Sequence, residues 1–165
     1  MTDSGDKNVR IFSVETRFQE LARRPGGIPR DKAIEQAQAR IEEAKPSFDD
    51  WLNPTLDSLA DVIKQVQAGN AKADWIETAN RHSRHLRDVG TTMDFELLTY
   101  IANSLCEVLD AMAAGFECNM DSVQCHIDAL FLSRQKRYRG VKPEQVPELT
   151  SGLRRVVEQV STSLP

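Results

Sequence analysis

RHSRHLRDVG, residues 81–90, sets two histidines and three arginines in one polar stretch. Imidazole is the side chain best suited to proton transfer or nucleophilic attack near neutral pH, so His82 and His85 are the first candidates for chemistry. A histidine acting as base or nucleophile needs a second group within reach. At helical spacing the one carboxylate that could pair with His85 is Asp88, three residues on, and neither cysteine nor serine stands in register with it. At about 100° per residue, Trp75, Ala79, His82, Leu86, Val89 and Met93 share one side of a helix. Glu77, Arg81, Arg84, Asp88 and Thr91 share the opposite side, with His85 on the flank between. The first side is expected to face the core, which makes His82 a core or boundary histidine satisfied by a hydrogen bond. On the solvent side, Arg84 and Asp88 stand four apart, an exposed ion pair worth a few tenths of a kcal/mol.

Glycine and proline punctuate the chain around that helix. RRPGGIPRD (23–31), AKPSFDDWLNP (44–54), AGNAKAD (68–74), AAGFECNMD (113–121) and RGVKPEQVP (139–147) read as connectors. Between them no run of alternating β-branched residues occurs, which predicts an all-α chain. Asp31 opens a first helix with the stripe Ile34, Ala37, Ile41 and Ala44. The second carries Leu52, Leu56, Leu59, Val62, Ile63 and Val66, with Pro54 tolerated in its first turn. The third holds the opening stretch and runs to Met93. Asp94 reads as the N-cap of the next, whose stripe of Leu97, Leu98, Ile101, Leu105, Val108, Leu109 and Met112 ends at Gly115. Val123, Ile127, Leu130 and Phe131 mark a further helix running into the basic SRQKRYRG, where positive charge suits a helix C-terminus. Pro143 opens the last, with Val146, Leu149, Leu153, Val156, Val157 and Val160. Short connections between long amphipathic helices predict an up-and-down bundle.

Composition narrows the function classes. The 165 residues are enough for one domain of ordinary size. A net charge of −4 argues against nucleic-acid binding, which rests on a basic surface that neutralises phosphates. No stretch approaches the roughly 20 apolar residues of a membrane span, and MTDSGDKNVR has no apolar core after positive charge, so a cytoplasmic location is expected. Cys106, Cys118 and Cys125 lack metal-ligand spacing and read as reduced thiols. Neither HExxH, GxSxG nor a glycine-rich phosphate loop is present, so no metal or cofactor is expected and a hydrolase ranks low.

The run WLNPTLDSLADVIKQVQAGNAKADWIETANRHSRHLRDVGTTMDFELLTYIANSLCEVLDAM resembles the histidine-containing phosphotransfer (Hpt) domain of two-component phosphorelays. The likeness extends through the final helices and covers roughly residues 48–160, about two-thirds of the chain. It implies a four-helix bundle over residues 48–165, with an N-terminal arm and extra helix over 1–47. Aligned on the leucine-rich helix, LRDVGTTMDFELLTYIANSLC matches the family pattern without a gap. Leu86 then takes the motif leucine, Arg87 the lysine, Arg84 the phosphoacceptor histidine and Asp88 the glycine. A guanidinium stays protonated at cellular pH and is a poor nucleophile, so Arg84 cannot accept a phosphoryl group. Asp88 adds bulk and negative charge where a small residue lets a partner approach. Around the helix, His85 is turned about 100° and His82 about 160° from Arg84. Bringing either into its place would expose Leu86 and its stripe at about 1.5–3 kcal/mol for each large side chain.

The resemblance therefore implies a degenerate, non-enzymatic member. It would bind a response-regulator receiver domain or a histidine kinase through Arg81, Arg84, Arg87, Asp88 and Thr91, with the arginines meeting the receiver's acidic pocket. Phosphotransfer through His82 or His85 is the second reading. The third is a helical dimerisation or scaffold protein using the basic end Arg134 to Arg139 or the apolar residues Ile11, Phe12 and Phe18.

Overall fold

The computed structural model describes residue 20, residues 26–117 and residues 119–162. Its helices are α1 (Arg30–Gln67), α2 (Trp75–Gly90), α3 (Glu96–Ala113), α4 (Met120–Ser133) and α5 (Pro147–Thr162), and no strand occurs among the described residues. The chain is all-α. It divides into two units, residues 1–39 and 40–165. Cys118, Ile11, Phe12 and Phe18 lie outside the described residues.

Helix α1 corrects the expected break at residues 44–54. It runs through both Pro46 and Pro54 for 38 residues. Proline removes one helical hydrogen bond and disfavours the interior of a helix, yet Phe48, Leu52, Leu56, Leu59 and Ile63 form one buried line that continues across Pro54. Packing of that line outweighs the local penalty. Hydroxyls serve the carbonyls nearby: Ser47 Oγ donates to Ala44 O at 2.8 Å, Thr55 Oγ1 to Trp51 O at 2.9 Å and Ser58 Oγ to Pro54 O at 2.8 Å. The expected stripe before this line is not a core stripe, because Ile34 stands 44% exposed and Ala37 is exposed too.

Helix α3 is the centre of residues 40–165. Leu97, Leu98, Ile101, Ala102, Leu105, Val108 and Leu109 are all buried along it, and it packs against α2, α4 and α5. It ends in a Schellman arrangement: Gly115 at φ 94° donates to Met112 O at 3.0 Å, and Phe116 N donates to Ala111 O at 3.1 Å. Helix α4 begins on Asn119, whose side chain accepts from Asp121 N at 3.0 Å. It stops at Ser133, and the basic segment forms a separate 3₁₀ turn, Lys136–Tyr138. Helix α5 opens at Pro147, not Pro143, which instead starts a 3₁₀ turn closed by Lys142 N donating to Gln145 Oε1 at 2.8 Å.

Helix α2 also departs from its expected pattern. Its buried residues are Ala79, Asn80, Ser83, Leu86 and Gly90, so the core line is rotated away from Trp75, His82, Val89 and Met93, which are partly buried. Small residues set this rotation. Ser83 satisfies its own hydroxyl on Ala79 O at 2.9 Å, and Gly90 lets α2 approach α3 closely, since a Cβ there would run into Thr99 Oγ1 and lie 3.3 Å from Leu98 Cδ2. The helix ends at Gly90 and a 3₁₀ turn, Thr91–Met93, follows. Asp94 is not the expected N-cap. Phe95 holds that position, while Asp94 sits in the left-handed region at φ 64° and its carboxylate accepts from Lys45 Nζ at 2.5 Å. Aspartate tolerates that conformation better than most residues, and its carbonyl accepts from Gly140 N at 2.9 Å.

Candidate functional site

Leu86 fixes the orientation of α2. It is fully buried, as its place on the apolar stripe predicts, and its burial turns Glu77, Arg81, Arg84 and Asp88 outward, all of them exposed. Four of the residues singled out in the sequence meet at one shallow hollow: Arg81, Arg84, His85 and Asp88, together with Ile76, Glu77 and Asn80. Arg87 and Thr91 do not line it. Arg87 pairs with Asp88 at 2.9 Å, and that carboxylate raises the guanidinium's pKa further. Thr91 lies in the turn beyond α2, where its hydroxyl donates to Thr99 Oγ1 at 3.2 Å.

Arg84 is not paired with Asp88, as the i, i+4 spacing suggests. Its Nη2 donates to Asp110 Oδ1 at 3.0 Å, across to α3. Asn80, one turn earlier on α2, donates its amide to the same carboxylate oxygen. The guanidinium is thus aimed by the Asp110 carboxylate, which Asn80 in turn holds, while remaining about half exposed. Asn80 itself is buried, and its Oδ1 has no hydrogen-bond partner among the described residues. An uncompensated buried acceptor costs about 1–3 kcal/mol. Arg81, beside this cluster, meets no ion-pair partner among the described residues.

The histidines are differently placed. His85 is exposed and its ring lies against Trp51 with centroids 4.8 Å apart. His82 is half-buried, and burial, with smaller contributions from Arg81 and His85, lowers its pKa from the usual value. It takes the boundary place that was one of the two expected for it, but no hydrogen bond reaches its ring among the described residues. Among the described residues no carboxylate hydrogen-bonds to either ring.

Sequence reasoning passed over Asp110, Asn80 and His126. Nothing near Asp110 in the chain signals a partner 26 residues earlier, and a buried asparagine leaves no mark on an apolar pattern. His126 is fully buried between α3 and α4: Ser104 Oγ lies 2.9 Å from its Nε2, and Ser122 O lies 2.7 Å from its Nδ1. With Nδ1 donating to the carbonyl, Nε2 accepts from the serine hydroxyl. Burial lowers this imidazole's pKa, against a smaller opposing effect of the Ser122 carbonyl. The arrangement joins two helices.

Among the described cysteines, Cys106 is buried and Cys125 exposed, both as free thiols. Burial pushes the Cys106 thiol up to about 11, which removes it as a thiolate nucleophile at neutral pH. Among the described residues no group of three or more His, Cys, Asp or Glu side chains is gathered to hold a metal ion, and no helix is long and apolar enough to cross a membrane. Compared with protein families, curated proteins and solved structures, the chain matches none of them.

Proposed function

We propose that the chain is a degenerate Hpt-like module: an up-and-down four-helix bundle with an extra N-terminal helix, acting in cytoplasmic two-component signalling without enzymatic activity. It binds a response-regulator receiver domain, or a histidine kinase, through the α2 face and carries no phosphate. The observation that carries this reading is Arg84. It stands outward on α2 at the position the resemblance gives to the phosphoacceptor, and Asp110, itself bonded by Asn80, holds it there. A fixed guanidinium suits a cluster of carboxylates, because charge-assisted bonds to a pre-aimed donor lose little side-chain entropy on binding. Arg81 adds a second positive charge at the same hollow. The unpartnered Asn80 Oδ1 supports a functional reading, since local rules are broken most often where a surface is selected for something besides stability.

The test is titration of purified receiver domains against the wild-type chain and two variants. Arg84→Ala and Arg81→Ala are each expected to weaken binding about tenfold or more, with a further loss as salt is raised. Arg155→Ala, on α5, should leave it unchanged. Affinity indifferent to both α2 substitutions would contradict the reading. A second reading, phosphotransfer through a relocated acceptor, draws on His85, which is exposed and lines the same hollow. It requires acid-labile phosphate on the chain that disappears in His85→Gln.

A further inference from the structure

Among the described residues, Ile28 and Ile34 are the exposed large aliphatic side chains, at 59% and 44%. Ile28 is a prepared knob. It lies between Gly27 and Pro29, and the proline restricts the backbone before it to extended conformations. The proline lowers the backbone freedom that Ile28 itself loses when it is buried. Within residues 40–165 there is a largely apolar hollow, walled by Ala44, Phe48, Trp51, Val89 and Met93, with Ser47 and His85 as its polar members.

Charge matches the two surfaces as well. Arg30 and Lys32 follow the knob, against one acid, Asp31. Around the hollow, Glu42 and Glu43 lie within two residues of Ala44, Asp88 adjoins Val89 and Asp94 adjoins Met93. Lys45, bound to Glu42 and Asp94, and Arg87, bound to Asp88, offset two of those four acids. The knob is net basic and the hollow net acidic.

We propose that this hollow receives the Ile28 segment of a second copy of the chain, in a twofold-symmetric dimer that makes the contact twice. Self-complementarity of this kind is what an isologous interface needs: each copy offers both the knob and the hollow. Burying one isoleucine in each of two hollows is modest, so the dimer is concentration-dependent and weakened by salt. The contact does not use Arg84, although His85 lines both this hollow and the one beside Arg84.

Sedimentation equilibrium of the full chain should show a monomer–dimer equilibrium, with Ile28→Glu raising the dissociation constant roughly tenfold or more. Crosslinking decides the geometry. In a background with Cys118→Ser and Cys125→Ser, a mixture of Ile28→Cys chains with Ser47→Cys chains should form a disulfide-linked dimer under mild oxidation, faster than either alone. A monomer at all concentrations would overturn the proposal. So would a dimer indifferent to Ile28→Glu, or an Ile28→Cys/Ser47→Cys chain that closes its disulfide within one molecule while the mixture stays unlinked.

Discussion

Arg84 and His126 are each fixed by partners that lie far away in sequence, and their chemistry follows from those partners. For His126 and His82 the fold lowers the imidazole pKa below its ordinary value of about 6.5. The unfolded chain then binds protons more readily than the native one. The stability these groups contribute is fully present above about pH 6.5 and is lost as pH falls through their lowered native values. Melting temperature should therefore fall between pH 7.5 and 5.5, and His126→Gln should flatten that slope; an unchanged slope in both His126→Gln and His82→Gln would contradict the assignment. Gly90 gives a second test. Gly90→Ala gains about 1 kcal/mol of helix propensity but meets Thr99 Oγ1, an overpacking cost of roughly 1–3 kcal/mol. A net loss in urea melts is expected, with Thr99→Ala recovering part of it in the double variant. At this scale Leu86 was legible in the sequence and Arg84's partner was not. A leucine on an apolar stripe declares its own burial, whereas an arginine's carboxylate partner can come from any element that packs nearby.

At the scale of elements, periodicity found α2 to α5 within a few residues but misjudged where the chain punctuates itself. Pro46 and Pro54 suggested a break that the buried line Phe48, Leu52, Leu56, Leu59 and Ile63 overrides. Asp94 looked like a cap because aspartate so often is one, but Lys45 on α1 draws its carboxylate away from α3. The core line of α2 was misplaced for a related reason: Asn80 and Ser83 are buried polar residues satisfied wholly or in part by hydrogen bonds, and an apolar pattern cannot see them. The contact between α3 and α4 through Ser104 and His126 can be tested directly. Ser104→Ala leaves a buried ring nitrogen without its donor and should cost about 1–3 kcal/mol in chemical denaturation. Adding His126→Leu should cost less than the sum of the single changes, because the orphaned nitrogen goes with the ring.

For the whole molecule, every buried apolar core residue among the described residues, from Phe48 to Val160, falls within residues 40–165. A chain lacking residues 1–39 should fold cooperatively and melt within about 5 °C of the full chain; loss of the transition would show that the core is incomplete without them. The all-α class could be read from the absence of strand periodicity. The proposed function rests on a resemblance in which Arg84 takes the place of a histidine, because the partner that would define a docking surface leaves no mark on this sequence. The measurement that bears most directly on the central claim mixes the purified chain with phosphorylated receiver domains from its own organism, following complex formation and labelled phosphate together. The account predicts a complex that depends on Arg84, with no label passing to the chain. Label transferred to the chain, and lost on replacing His82 or His85 with glutamine, would contradict it.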